Sequence, residues 1–178
     1  MRIVAGKYRH RLIDYPEIES TRPTMDKVRE ALMSALGNEI VGRVVLDLFA
    51  GSGALGIESL SRGAEKCYFV DNNQTAVNVI KNNIKKLSVS EETFIYKLSY
   101  KDFLDNNQYK KFSLVFLDPP YKQKEAYSII VEYLLSKEML SEDAIIVMES
   151  DYEMTQDLNF KKFKHYKYGI VHVNIFWR

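Results

Sequence analysis

Val44-Val45-Leu46-Asp47-Leu48-Phe49-Ala50-Gly51-Ser52-Gly53-Ala54-Leu55-Gly56 is the stretch that decides the fold. Val44 to Phe49 is apolar but for Asp47, the composition of a strand buried on both faces. Glycines then stand at 51, 53 and 56. That spacing lets a chain turn tightly from a strand into a helix and keeps the turn's backbone open to close approach. The helix is expected to run to about Arg62 and to stop at Gly63.

Working outward, the same alternation continues. Tyr68-Phe69-Val70 reads as the next strand, closed by Asp71, and a helix follows from about Thr75 to Leu87. Its Ala76, Val77, Ile80, Ile84 and Leu87 keep helical spacing, and Asn82 and Asn83 are expected to face solvent. Thr93–Leu98 and Ser113–Leu117 read as strands, Glu125–Ser136 as a helix and Ala144–Met148 as a fifth strand. Phe163–Tyr168 and Ile170–Trp177 read as a hairpin turning at Gly169, with its aromatic residues taken as edge-strand packing. Upstream, Ile3–Gly6 and Leu12-Ile13 suggest a short hairpin, and Pro23-Thr24 opens a helix ended by Gly37. Strands alternating with helices predict an α/β fold. The sheet is mainly parallel with helices on both faces, an antiparallel C-terminal hairpin is placed at its edge, and a small N-terminal hairpin extends it. Residues 1–178 are expected to form a single domain, with 1–22 as a basic β-hairpin extension.

The glycine turn with Asp71 20 residues beyond Gly51 is a pattern for binding a nucleotide-like cofactor. The glycines admit the ligand to the backbone, and the acidic residue accepts from ribose hydroxyls. The pattern alone does not choose between NAD and S-adenosylmethionine. Asp47, four residues before Gly51, would repel a pyrophosphate. It suits a ligand that carries an ammonium and a sulfonium.

Asp118-Pro119-Pro120-Tyr121 follows the fourth strand directly. Two prolines in series stiffen the loop and hold it extended. A carboxylate, backbone carbonyls and an aromatic face are thereby kept in fixed relation. Such a set can accept both N–H bonds of a planar amine and stack its ring on Tyr121.

Composition sets the bounds. The 178 residues are 46% hydrophobic and 28% charged, with a net charge of +1, which suits a globular domain. No apolar run long enough for a membrane span or a signal core is present, so a cytoplasmic protein without membrane association is expected. The single Cys67 precedes apolar residues and reads as a core thiol. The three histidines lack metal-ligand spacing, so no metal is expected. The first eleven residues hold Arg2, Lys7, Arg9, His10 and Arg11 with Tyr8 interleaved. That basic edge can neutralise phosphates and stack on bases, or can be ordinary surface.

At these motifs a family resemblance is clear. Asp47-Leu-Phe-Ala-Gly-Ser-Gly53 resembles the first motif of class I methyltransferases, and Asp118-Pro-Pro-Tyr121 the fourth motif of those that modify exocyclic amines. Thr21-Arg22-Pro23-Thr24-Met25-Asp26-Lys27-Val28-Arg29-Glu30-Ala31-Leu32 resembles the signature of the bacterial RsmD family, which methylates guanine N2 in 16S ribosomal RNA. The likeness runs from Arg2 to about Tyr168. It implies S-adenosylmethionine as cofactor, S-adenosylhomocysteine as product, and 16S rRNA or the assembling small subunit as partner of a monomeric enzyme. It implies Asp118, Pro119, Pro120 and Tyr121 as the catalytic motif. It implies Asp47, Phe49, Gly51, Gly53, Asp71, Asn72, Ser99, Tyr100 and Phe103 around the cofactor. It implies Arg2, Lys7, Arg9, Arg11 and Arg22 towards RNA. The family usually places Asp or Asn, then Ala, where this chain has Ser99 and Tyr100, and Asp102 is a second acceptor for the adenine.

Other readings stay open on the residues alone. Another amine, such as adenine N6 or a glutamine amide, could be the acceptor. The chain has little room for a DNA target domain, and Asp rather than Asn precedes Pro119. An NAD-dependent reductase would sit badly with Asp47, and a non-catalytic RNA-binding module would leave Asp118–Tyr121 unexplained.

Overall fold

The computed structural model describes residues 1–16, 24–120, 124–154 and 160–178. Its strands are β1 (Val44–Asp47), β2 (Lys66–Asp71), β3 (Thr93–Lys97), β4 (Phe112–Leu117), β5 (Leu140–Ser150), β6 (Lys162–Tyr168) and β7 (Val171–Trp177). Its helices are α1 (Thr24–Leu36), α2 (Ala54–Ser61), α3 (Gln74–Leu87), α4 (Tyr100–Asn106) and α5 (Ala126–Ser136). The strands form one sheet in the order β3-β2-β1-β4-β5-β7-β6. β1 to β5 pair in parallel, and β7 pairs antiparallel with both β5 and β6.

The chain winds outward from β1 to β3 and returns to β4 on the other side of β1. The crevice at that reversal is where ligands bind in such sheets. Each sheet face carries its own apolar cluster. One gathers Val45, Phe69, Phe116, Val147 and Val173 under α1, α2, α3 and the N-terminal segment. The other gathers Leu46, Phe103, Phe112, Ile146 and Phe176 under α4 and α5. Gly56 is needed for the first layer: a Cβ there would lie 2.3 Å from the Phe69 ring and 2.5 Å from Cys67 Sγ. Cys67 is fully buried, as expected of a core thiol.

Four features differ from the sequence expectation. The tail hairpin is not wholly at the edge, because β7 lies inside the sheet with every residue buried. Its alternate residues face the two clusters, so both of its faces are covered. The short helix α4 was not anticipated; Ser99 caps it, its Oγ accepting the Asp102 N–H at 3.1 Å. Asn83 is fully buried rather than solvent-facing. Its side chain accepts from Asp14 N–H at 2.8 Å and donates to the carbonyls of Asp14 at 2.9 Å and Ser52 at 3.1 Å.

The N-terminal segment is the fourth difference. Arg2 and Leu12 make its one strand-type bridge among the described residues. The expected hairpin pairs across at its base, Ile3 N–H donating to the Arg11 carbonyl at 3.0 Å, His10 N–H to the Ile3 carbonyl at 2.9 Å and Ile13 N–H to the Met1 carbonyl at 3.0 Å, but four donors nearer its tip turn to α2 instead. Val4 and Ala5 N–H groups donate to the buried carboxylate of Glu58 at 2.9 and 3.0 Å. Lys7 N–H donates to the Ser61 carbonyl at 2.7 Å and Tyr8 N–H to Ser61 Oγ at 2.9 Å. Gly6, at φ +83°, allows that approach, since a Cβ would lie 1.7 Å from the Ser61 carbonyl oxygen. Ile3, Tyr8 and Ile13 are buried in the α1-side cluster. At roughly 1.5–3 kcal/mol for a buried aliphatic side chain, this anchors the segment firmly.

Candidate active site

β1, β4 and β5 lie side by side, and their registers decide which side chains share a face. Asp47 pairs with Phe116, and Leu117 with Met148. Asp118 lies two residues beyond Phe116, and Glu149 one beyond Met148, so period-two alternation turns Asp47, Asp118 and Glu149 to the same face. All three line one cavity of about 190 Å³ at the reversal point, together with Phe49, Gly51, Ser52 and Arg29. Met1, Tyr15 and Pro16, from the N-terminal segment, close it.

The electrostatics of this cavity are unusual. Burial raises the Asp47 carboxyl to about 7, partly offset by the Gly56 N–H it accepts at 3.1 Å. Burial raises Asp118 well above the usual carboxylate range, and Glu149 and Asp47 add to the rise. Burial likewise lifts Glu149 to about 7. Among the described residues none of the three has an ion-pair partner. The buried Arg29 is the cation on the wall, but it is largely committed. Its Nη2 donates to the Arg2 carbonyl at 2.7 Å and lies 3.2 Å from an Asp26 oxygen. Three carboxyls thus share a space that favours a cationic ligand and the loss of their protons when it enters.

The glycine turn is braced from the next strand. Gly51, at φ +54°, donates its N–H to Asp71 Oδ2 at 2.8 Å, and Asp71 Oδ1 accepts from Asn73 N–H at 2.8 Å. The carboxylate is half-buried and fixed in direction, with lone pairs left for a further donor. Asn72 beside it is exposed. Gly53, at φ +76°, opens α2 with no side-chain cap. Phe49 and Tyr100 face each other, with ring centroids 5.6 Å apart. Ser99 Oγ is committed locally, donating to Asp102 Oδ2 at 2.6 Å.

Most of the expected site residues therefore gather at the C-terminal ends of β1, β2, β4 and the turn after β3. Pro119 is buried and Pro120 exposed. Phe103 needs correction: its ring is fully buried against Tyr96 and Phe112, and its N–H donates to the Ser99 carbonyl. It is a core residue of α4. Arg2, Lys7, Arg9 and Arg11 are exposed, and Arg11 Nη2 donates to the Lys86 carbonyl at 2.8 Å. Tyr121 and Arg22 lie outside the described residues. The sequence leaves Glu149, at the end of the fifth strand, open between a structural role and lining the pocket, and the structure puts it in the cavity wall; Arg29, Tyr15 and Met1 are pocket residues that sequence reasoning misses. A signal existed for Arg29, which lies within the Thr21–Leu32 signature.

A glycine turn after the first strand, an acidic residue after the second and the β7-inserted sheet define a class I S-adenosylmethionine-dependent methyltransferase fold. The chain belongs to the family described as Conserved hypothetical protein 95, which matches residues 1–177. It is 36% identical over 180 residues to Ribosomal RNA small subunit methyltransferase D of Haemophilus influenzae, covering 99% of this chain and 93% of that one. The structure of yhhF from Escherichia coli superposes with a TM-score of 0.87 at 30% identity, covering 100% of this chain and 97% of that one. The T. thermophilus 16S rRNA N2 G1207 methyltransferase RsmC, solved with AdoMet and guanosine, gives a TM-score of 0.68 at 19% identity. That likeness covers 91% of this chain and 44% of RsmC, and it shows the fold. The chain is a methyltransferase. The residues present fit S-adenosylmethionine, since Asp47, a buried carboxyl without an ion-pair partner among the described residues, would suit its cationic end and the glycines would admit it to the turn. No helix among the described residues is long and apolar enough to cross a membrane.

Proposed function

We propose that this chain methylates the exocyclic N2 amine of a guanine in small-subunit ribosomal RNA. The observation that carries this reading is the placement of Asp118-Pro119 beside the Asp47–Gly53 turn, on neighbouring strands and one face. When bound, the cofactor supplies an electrophilic methyl group on a sulfonium. Everything else is positioning and electrostatics by the chain itself.

Asp47 would attract the ammonium end of the cofactor, Gly51 and Gly53 would let it approach the backbone, and Asp71 would accept from the ribose. Asn72, Ser99, Tyr100 and the Phe49 ring would hold the adenine. Asp118 accepts one N–H of the amine, and the carbonyl of Pro119 or Pro120 accepts the other. Held this way, the nitrogen would lose conjugation with its ring and turn its lone pair out towards the cofactor site. Asp118 or bulk water takes the surplus proton. Tyr121 stacks on the base, which must first leave its own stack, so the target guanine is weakly paired.

Lys7, Arg9, Arg2, Arg11 and Arg22 would neutralise phosphates on the rim, with residues 1–22 acting as an RNA-facing extension of a single domain. The enzyme would work in the cytoplasm as a monomer on 16S rRNA or an assembling particle. Mass mapping of methylated guanines in rRNA from a deletion strain tests the reading. One N2-methylguanine should disappear and return with the wild-type gene but not with Asp118→Ala. An unchanged map, or a lost N6-methyladenine, would overturn it.

A further inference from the structure

Glu149 is not part of either motif, yet it stands beside Asp118 in the same cavity. The parallel pairing of Leu117 with Met148 puts the two residues one step further along adjacent strands. Neighbouring strands are about 4.8 Å apart, so the two carboxyls flank a space that a base edge can span. Their proximity is also seen in the Glu149 charge that opposes ionisation of Asp118.

Glu149 is held on regular structure. Ile145 to Ser150 pair with β7 without a break, and the buried Tyr127 on α5 donates its hydroxyl to the Glu149 carbonyl. Ser150 Oγ donates to the Tyr152 carbonyl at 2.6 Å and ties down the turn that follows. A half-buried carboxyl without an ion-pair partner among the described residues, on so firmly held a backbone, is placed to accept from a ligand donor, which would offset the desolvation of its charged form.

A guanine edge offers two neighbouring donor groups, N1–H and the N2 amine. Asp118 and a proline carbonyl satisfy the amine, which leaves N1–H without an acceptor. We infer that Glu149 is the specificity-determining residue that accepts the guanine N1–H beside Asp118 on the N2 amine. The inference rests on the guanine reading above and extends it. An ionised Glu149 faces the lone pair of adenine N1 with repulsion, so the same group that admits guanine rejects adenine. Rejection of this kind is strong because the buried acceptor is left unpaired by the wrong base.

Three nucleosides separate the two contacts. Guanosine carries both donor groups, inosine lacks the N2 amine, and 2-aminopurine riboside keeps the amine but has no N1–H. Their affinities for the full chain loaded with S-adenosylhomocysteine can be measured by calorimetry or NMR titration. The wild type should prefer guanosine to 2-aminopurine riboside by about tenfold or more, the scale of one hydrogen bond to a charged group. Glu149→Gln should bring that ratio close to one, because its amide can accept from N1–H or donate to a bare N1. It should keep the preference for guanosine over inosine. Each ratio is taken within one protein, and the wild-type arm needs no variant to fold.

If the wild type binds guanosine and 2-aminopurine riboside equally, or Glu149→Gln keeps the full discrimination, the role of Glu149 is overturned. A retained preference over inosine would then leave the N2 reading standing. Equal binding of guanosine and inosine, or binding of none of the three, would instead remove the guanine reading and this inference with it.

Discussion

Asp118 and Glu149 stand side by side at the ends of β4 and β5, one residue beyond the paired Leu117 and Met148, and the Glu149 charge adds to the cost that burial sets on ionising Asp118. With Asp47 two strands away from Glu149 on the same face, the cavity holds three reluctant carboxylates. A cationic cofactor and a donor-rich base edge both relieve that reluctance.

Asp118→Ala should bind S-adenosylmethionine nearly as the wild type does and lose at least about a hundredfold in methyl transfer, the range for one positioned polar group. Single-turnover transfer at saturating cofactor is the measurement. Full activity in this variant would remove the amine-gripping role of the motif.

The raised carboxyls give a pH dependence of defined sign. Asp47 and Glu149 at about 7 bind more protons in the fold than in the unfolded chain. Stability of the free protein from this source is therefore fullest below the ordinary carboxylate range and falls as pH rises through about 7. Cofactor affinity should move the opposite way and rise over the same interval, because the cation binds the ionised form. Melting curves with and without S-adenosylmethionine from pH 5.5 to 8 should show a widening ligand-induced shift. In Asp47→Asn the widening should shrink; an equal widening would assign the effect elsewhere.

Asp71→Ala should weaken cofactor binding by about 1–3 kcal/mol, the cost of a lost hydrogen bond to a charged group. Part of the loss would come through Gly51, whose N–H loses its acceptor. Calorimetric titration reads it, and unchanged affinity would move the ribose contact away from Asp71.

Asn83→Ala should cost about 1–3 kcal/mol, because a buried donor and acceptors lose their partner. Faster amide exchange should follow at Asp14, whose N–H it accepts. An unaltered exchange rate there would mean that Glu58 and Ser61 hold the segment without it.

If residues 1–11 meet phosphate, replacing Lys7 and Arg9 with Ala should flatten the salt dependence of RNA binding, at about 0.7–0.9 of slope per lost contact. Arg11 is the less clean choice, since it also holds the Lys86 carbonyl. Cofactor affinity should not change. An identical slope in the double variant would return these residues to ordinary surface.

Much of this protein was legible in the chain itself. The apolar runs with their turn residues place β1 to β5 and α2, α3 and α5, because burial on both faces demands continuous hydrophobicity. The Asp47–Gly56 and Asp118–Tyr121 motifs point to their chemistry because the residues in each are neighbours in sequence, so local geometry suffices. What could not be read locally was pairing. β7 sits between β5 and β6, and an interior strand differs from an edge strand only in its partners. Asn83 looks polar until the N-terminal loop supplies buried groups for it to satisfy. Phe103 looked like a site residue and is core, because α4 turns its ring inward. Glu149 carries no motif at all. Only the register of β5 on β4 sets it beside Asp118, and register is a long-range property, decided by which faces the whole sheet can bury.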